Sequence, residues 1–258
     1  MRGRRKPPLQ VTERELVVMT RDLDELHHTT MPAMRAAVEE WSEDLRTTRR
    51  RFLAGTGAAL GGLVLAGCGD ARDEGEETRG EVVGARQPRP PTGDFAIAAL
   101  AASIENLAVA TYQAGIAAAE AGRLGAVPPA VTSFARTVQR HHADHAGAWN
   151  EVLANGGRTT VDGVDQTAKR DAVDPSLAQL SDVAGLARLA LSLENVAAAT
   201  YLRGIANFEN TGARRVAASI QPVELQHVAI LNFVLGQYPV PDSFAKEEGA
   251  RPLSDQIA

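Results

Sequence analysis

The chain has 258 residues, 44% of them apolar and 23% charged, a globular balance that excludes a wholly disordered or fibrous protein. Aromatics make up only 4%, and the single cysteine excludes a disulfide framework and a cysteine-rich zinc site. A net charge of −5 gives no reason to expect nucleic acid as a partner, and no uninterrupted apolar run reaches the ~18 to 20 residues of a bilayer span.

Charge is unevenly placed. Residues 1–68 carry 11 Lys+Arg against 9 Asp+Glu, whereas residues 69–258 carry 16 against 23, and the break falls at the only cysteine, Cys68. Residues 1–47 read as a leader, with an amphipathic stretch from Met34 to Leu45 and a pair, His27-His28, expected to be solvated. Its length is unusual for a leader: either Met31 or Met34 is the true start, or the segment is a cytoplasmic regulatory tail. Within residues 48–68, Thr48-Arg49-Arg50-Arg51-Phe52-Leu53 opens a glycine-rich apolar run that ends in Leu65-Ala66-Gly67-Cys68. This resembles a twin-arginine export signal closed by a lipobox. The resemblance implies export of a folded protein, often with a metal or cofactor bound, and lipidation of Cys68. The protein would then be anchored to the outer face of the cell membrane. A short buried helix is the competing reading, disfavoured by five glycines in the run. Residues 69–93 come next, rich in Glu, Asp, Arg, Gly and Pro and almost without large apolar side chains, which predicts a flexible tether.

Prolines partition the remainder, because helix interiors exclude them. A first helix is predicted from about Phe95 to Ala121, capped by Asp94 and closed by Gly122. A second runs from near Pro129 to Asn155-Gly156-Gly157, and a third from about Leu177 to Phe208. A fourth starts after Thr211-Gly212 and reaches Gly236, with Pro222 as a kink. About 20 polar residues, Gly156 to Ser176, separate the second from the third, whereas the other joints are short. Two antiparallel hairpins joined by one long crossover make an all-α four-helix bundle over residues 94–238, with a C-terminal tail at 239–258.

The hairpins repeat. Ala102 to Ala117 aligns with Leu191 to Ala206 at an offset of 89, with ten of sixteen positions identical. At an offset of 82, His142 matches Glu224, His145 matches His227, and Asn150 matches Asn232. Helical spacing puts Glu105 and Tyr112 on one otherwise apolar face of the first helix, and Glu194 and Tyr201 on that of the third. Glu224 and His227 share one side of the fourth helix, and His142 and His145 share one side of the second.

Glu105, Glu194 and the Glu224/His227 pair resemble the ligand set of the ferritin-like superfamily of di-iron carboxylate bundles, over about Phe95 to Gln237. There, two helices give one Glu each and two give Glu-x-x-His. The resemblance implies that Glu105, Glu194, Glu224, His145 and His227 ligate a metal, with Glu224 bridging or chelating. Tyr112 and Tyr201 would hydrogen-bond ligating carboxylates, unless they only pack. The departure is His142, where a second bridging Glu is expected; it leaves three carboxylates and three histidines. His141 lies about 100° around the helix and is expected to be exposed.

Iron or manganese is the implied cofactor, at one or two ions per chain, with ferroxidase-type or oxidase-type turnover open. A hydrogen-bonded polar core without metal, in a lipid-anchored bundle for stress protection or partner binding, is the alternative. A homodimer stays open; a membrane-tethered subunit argues against a closed storage cage.

Overall fold

The computed structural model describes residues 11–61 and 91–253, and side chains there except Arg49 and residues 51–61. Its elements are α1 (Glu13–Gly61), α2 (Asp94–Glu120), α3 (Pro129–Asn155), α4 (Gln166–Ala168), a π-helical turn (Lys169–Val173), α5 (Asp174–Ala178), α6 (Val183–Asn207) and α7 (Thr211–Val234). Among the described residues there is no strand.

Proline and glycine set the helix ends much as the sequence suggests. Pro129 occupies the first turn of α3, where a missing N–H costs nothing, and Gly157 lies just past its end at φ 64°. Gly122 closes α2 at φ 71°. Three expectations are corrected. Asp94 does not cap α2; its carboxylate instead accepts the backbone N–H groups of Glu209 and Asn210, tying the start of α2 to the α6–α7 joint. The third long helix starts at Val183 rather than Leu177, because Asp182 caps it by accepting Gly185 N–H at 2.6 Å, and residues 174–178 form a separate short turn. Gly212 lies inside α7, which begins one residue earlier behind the Asn210 cap.

The hairpins α2–α3 and α6–α7 pack as predicted, each antiparallel. By mean hydropathy α2 is long and apolar enough to cross a bilayer despite Glu105, but 67% of that window is buried within the bundle.

The larger departure is α1, a fifth long helix. A capping box starts it: Glu15 N–H donates to Thr12 Oγ1 and Thr12 N–H to Glu15 Oε2. Its buried positions, Leu16, Thr20, Leu23, His27, Met34, Val38 and Trp41, with the half-buried Met31 between His27 and Met34, recur at three- and four-residue steps and form one stripe. That stripe fills the groove between α3 and α7. Asn155 Nδ2 donates to Ser42 Oγ at 2.9 Å and Arg140 reaches Asp24, so α1 runs parallel to α3. His27 is therefore buried, not solvated, while His28 stays exposed. His141 is buried too, because α1 covers the face of α3 that a four-helix bundle would leave to water. The backbone continues α1 through Arg50 to Gly61; the Leu65–Cys68 motif and most of the tether lie outside the described residues.

Two apolar clusters lie at opposite ends of the bundle. One gathers Trp41, Trp149, Tyr201, Phe208 and Ile220, the other Leu16, Leu23, Phe134, Ile116 and Leu231. Between them sits a polar layer.

Candidate metal centre

Each ligand candidate reaches that layer through its helix register. Glu105 from α2, His142 and His145 from α3, Glu194 from α6, and Glu224 and His227 from α7 are all at most 1% exposed. They form two overlapping groups, Glu105–His142–His145–Glu224 and His142–Glu194–Glu224–His227. Within each group the candidate ligand atoms lie within 4.8 Å of one another. All six residues singled out in the sequence are thus in one place, and His142 and Glu224 belong to both groups.

The contacts obey the pseudo-twofold axis. Tyr112 hydroxyl donates to Glu194 Oε1 at 2.5 Å, and Tyr201 hydroxyl donates to Glu105 Oε1. Burial, reinforced by those carboxylates, pushes both phenols well up, so both stay protonated and can only donate toward the site. His142 lies between the two single glutamates, with Nδ1 2.6 Å from Glu105 Oε2 and Nε2 3.2 Å from Glu194 Oε1. Burial opposes a charge on His142, but Glu194, Glu224 and Glu105 outweigh it and raise the imidazole well above its ordinary range. Its ring then donates from both nitrogens and stands where a cation would stand.

Glu224 is different. Its oxygens come 3.1 Å from His145 Nδ1, 3.6 Å from His227 Nδ1 and 3.9 Å from His142 Nδ1, yet neither makes a hydrogen bond. A fully buried carboxylate without hydrogen bonds is costly. A carboxylate with ion-pair contacts but no hydrogen bond at the meeting point of both clusters fits a metal ion, as does a donor set of carboxylates and imidazoles.

The symmetry is incomplete on the tyrosine side. Trp149 Nε1–H donates to Tyr201 hydroxyl at 2.8 Å, whereas Leu231 occupies the position related to Trp149 in α7. Tyr201→Phe strands the Trp149 donor, at a cost of about 1–3 kcal/mol. Tyr112→Phe strands no such donor and costs less. Urea denaturation of the metal-free variants checks the order; equal losses would show that the tryptophan bond is immaterial.

Electrostatics set a pH window for the metal-free protein. Burial opposes the charge of His145, but Glu105 and Glu224 outweigh it and raise the imidazole from 6.5 to about 9. Burial likewise pushes the Glu105 carboxyl up, but His145 and His142 outweigh this and hold it down from 4.5 to about 2. The His145 contribution is complete below pH 6.5 and lost as pH rises through about 9. The Glu105 contribution is present above pH 4.5 and lost as pH falls toward about 2. Thermal unfolding in chelator should therefore show the melting temperature falling from pH 6.5 to 9; a flat profile would contradict it.

Three further residues lie beside the centre: His27 and His141, which the sequence placed in solvent, and Asp24, which it did not single out. His227 Nε2 and His141 Nδ1 are 3.2 Å apart, and His141 Nε2 lies 3.0 Å from Asp24 Oδ1 of α1. His27 stacks on His141 with centroids 3.8 Å apart and planes at 12°, and lies 5.3 Å from His145. The available signal was the seven-residue recurrence of Thr20, His27, Met34 and Trp41.

No curated protein and no solved structure matches the chain. The ferritin-like domain family, however, matches residues 93–237, more than half of the sequence and all four helices that carry the Glu/His cluster. On that match the chain belongs to the ferritin-like family.

Proposed function

We propose that the protein binds iron at the buried Glu/His layer and handles Fe(II) at the cell envelope. The observation that carries this reading is Glu224, a buried carboxylate without hydrogen bonds that faces three imidazoles. One ion would be held by Glu105, His145 and Glu224 and another by Glu194, Glu224 and His227, with His142 within reach of both. Carboxylates with imidazoles suit iron and manganese better than softer metals. Iron so held supplies one-electron exchange with oxygen or peroxide. The protein's own part is to position the ligands: Tyr112 and Tyr201 orient the two single carboxylates, and the surrounding apolar clusters keep bulk water out.

The count of three imidazoles against three carboxylates supports a second reading, a charge-balanced polar core in a non-enzymatic bundle. Elemental analysis of protein purified without chelator separates the two. One to two iron or manganese ions per chain supports the first; metal-free protein that cannot be reconstituted with Fe(II) leaves the second.

The envelope location rests on the Arg49-Arg50 and Leu65–Cys68 motifs. Replacing Arg49 and Arg50 with Lys is expected to block export, and Cys68→Ser to prevent lipidation. Fractionation and lipid labelling check both. Unlipidated full-length chain in the cytoplasm of wild-type cells would end the envelope reading.

A further inference from the structure

We propose that α1 is a removable fifth wall of the metal centre: docked, it positions His227 through Asp24 and His141 and seals the α3–α7 groove; detached, it leaves a centre that exchanges its ion quickly. The proposal rests on the metal-binding reading and adds to it.

The four family helices end the match at residue 93 on one side, so α1 is an addition to the ferritin-like domain. Its seat is shaped for it. A Cβ on Gly212 of α7 would come 2.8 Å from Trp41 Cβ and 2.9 Å from Trp41 N, a clash with backbone that only glycine avoids. Trp41 itself is stacked on Phe95 and buried. At the level of the centre the apolar stripe of α1 is interrupted by polar residues. His27 is 2% exposed, and neither of its ring nitrogens has a hydrogen-bond partner. An apolar residue there would cover α3 at less cost, so the imidazole points to a role toward the His141–His145 edge.

Asp24 ends a chain of outer contacts. With Asp24 accepting from His141 Nε2–H, His141 Nδ1 is left to accept from His227 Nε2–H. That directs His227 Nδ1 at Glu194 and Glu224, 3.1 and 3.6 Å away, the side on which an ion would sit. Asp24 is thus a positioning residue on α1, acting on a ligand of α7 that it does not touch. The Leu65–Cys68 junction lies between α1 and α2 in the sequence, so a cut where its motif resembles a processing site would free α1 whole.

The test uses the full chain with a site-specific protease sequence inserted between Glu77 and Thr78. Protein loaded with Co(II) is challenged with excess chelator, intact and after cutting and removal of the α1 fragment. Release should be roughly 10-fold or more faster without α1, the scale of losing an outer-shell partner. Gly212→Val and Leu23→Asp, which dislodge α1 uncut, should speed release likewise and red-shift tryptophan fluorescence as Trp41 meets water; far-UV circular dichroism confirms that the bundle persists. Asp24→Leu should alter the Co(II) absorption bands, and Asp24→Asn, which keeps an acceptor oxygen, should restore them. Equal release rates with and without α1, from protein that does hold Co(II), overturn the proposal and leave the metal reading intact. An intact chain that holds no Co(II) overturns both.

Discussion

Glu224→Ala is expected to abolish tight metal binding at both halves of the proposed centre. Glu224 is the one carboxylate common to the two ligand groups, and it faces all three imidazoles. Without it each group keeps one carboxylate and two imidazoles, and the negative charge available to offset two divalent ions drops by a third. Loss of an outer-shell partner weakens metal binding by roughly 10–100-fold, so removal of a ligand shared by two ions should exceed about 100-fold. Glu224→Gln keeps the volume and removes the charge, and should lose nearly as much. Metal-per-protein stoichiometry after gel filtration reads both variants. Wild-type occupancy in Glu224→Ala would show that the metal sits elsewhere.

His142→Glu should have the opposite effect on binding and a severe one on the metal-free fold. In the wild type His142 bridges Glu105 and Glu194 as a cation. A glutamate there replaces that cation with a fourth carboxylate, facing only His145 and His227 as counter-charges. Breaking a buried charge pair costs about 3–5 kcal/mol, and here the replacement adds like charge as well. The variant should be strongly destabilised in chelator and regain stability when Mn(II) or Fe(II) is added, with occupancy rising toward two ions per chain. Thermal unfolding with and without metal is the measurement. A variant as stable as wild type in chelator would show that His142 is not acting as the resident cation.

The four-helix core was legible because proline and glycine punctuate it and because the repeat fixes the register of one hairpin from the other. Glu105 and Glu194 sit at identical stations of a sixteen-residue match, so a single face assignment places both. Local endings were less legible. Asp94 and Asp182 are equally good caps by sequence, but Asp94 is claimed by Glu209 and Asn210 from a distant joint, and only folding brings them together. The fifth helix was missed for a different reason. Its stripe mixes Thr20 and His27 with Leu16, Leu23 and Met34, so it reads as weakly amphipathic, and the adjacent arginine motif draws residues 1–47 into a leader. His141 shows the cost. Judged by α3 alone it points to water, and it is buried only because α1 is there.

The crossed tyrosines bear on ancestry. Tyr112 of the first hairpin serves Glu194 of the second, and Tyr201 of the second serves Glu105 of the first. A lone hairpin would therefore have its tyrosine and its carboxylate both without a counterpart. Before duplication and fusion, such a unit could complete the centre only as a twofold pair of identical chains, where residue i meets j and j meets i. In that pair every substitution appears twice, so an acid and an imidazole could never have occupied equivalent stations. His142 opposite Glu224, and Trp149 opposite Leu231, are differences that became available only once the two hairpins were no longer copies of one identical chain.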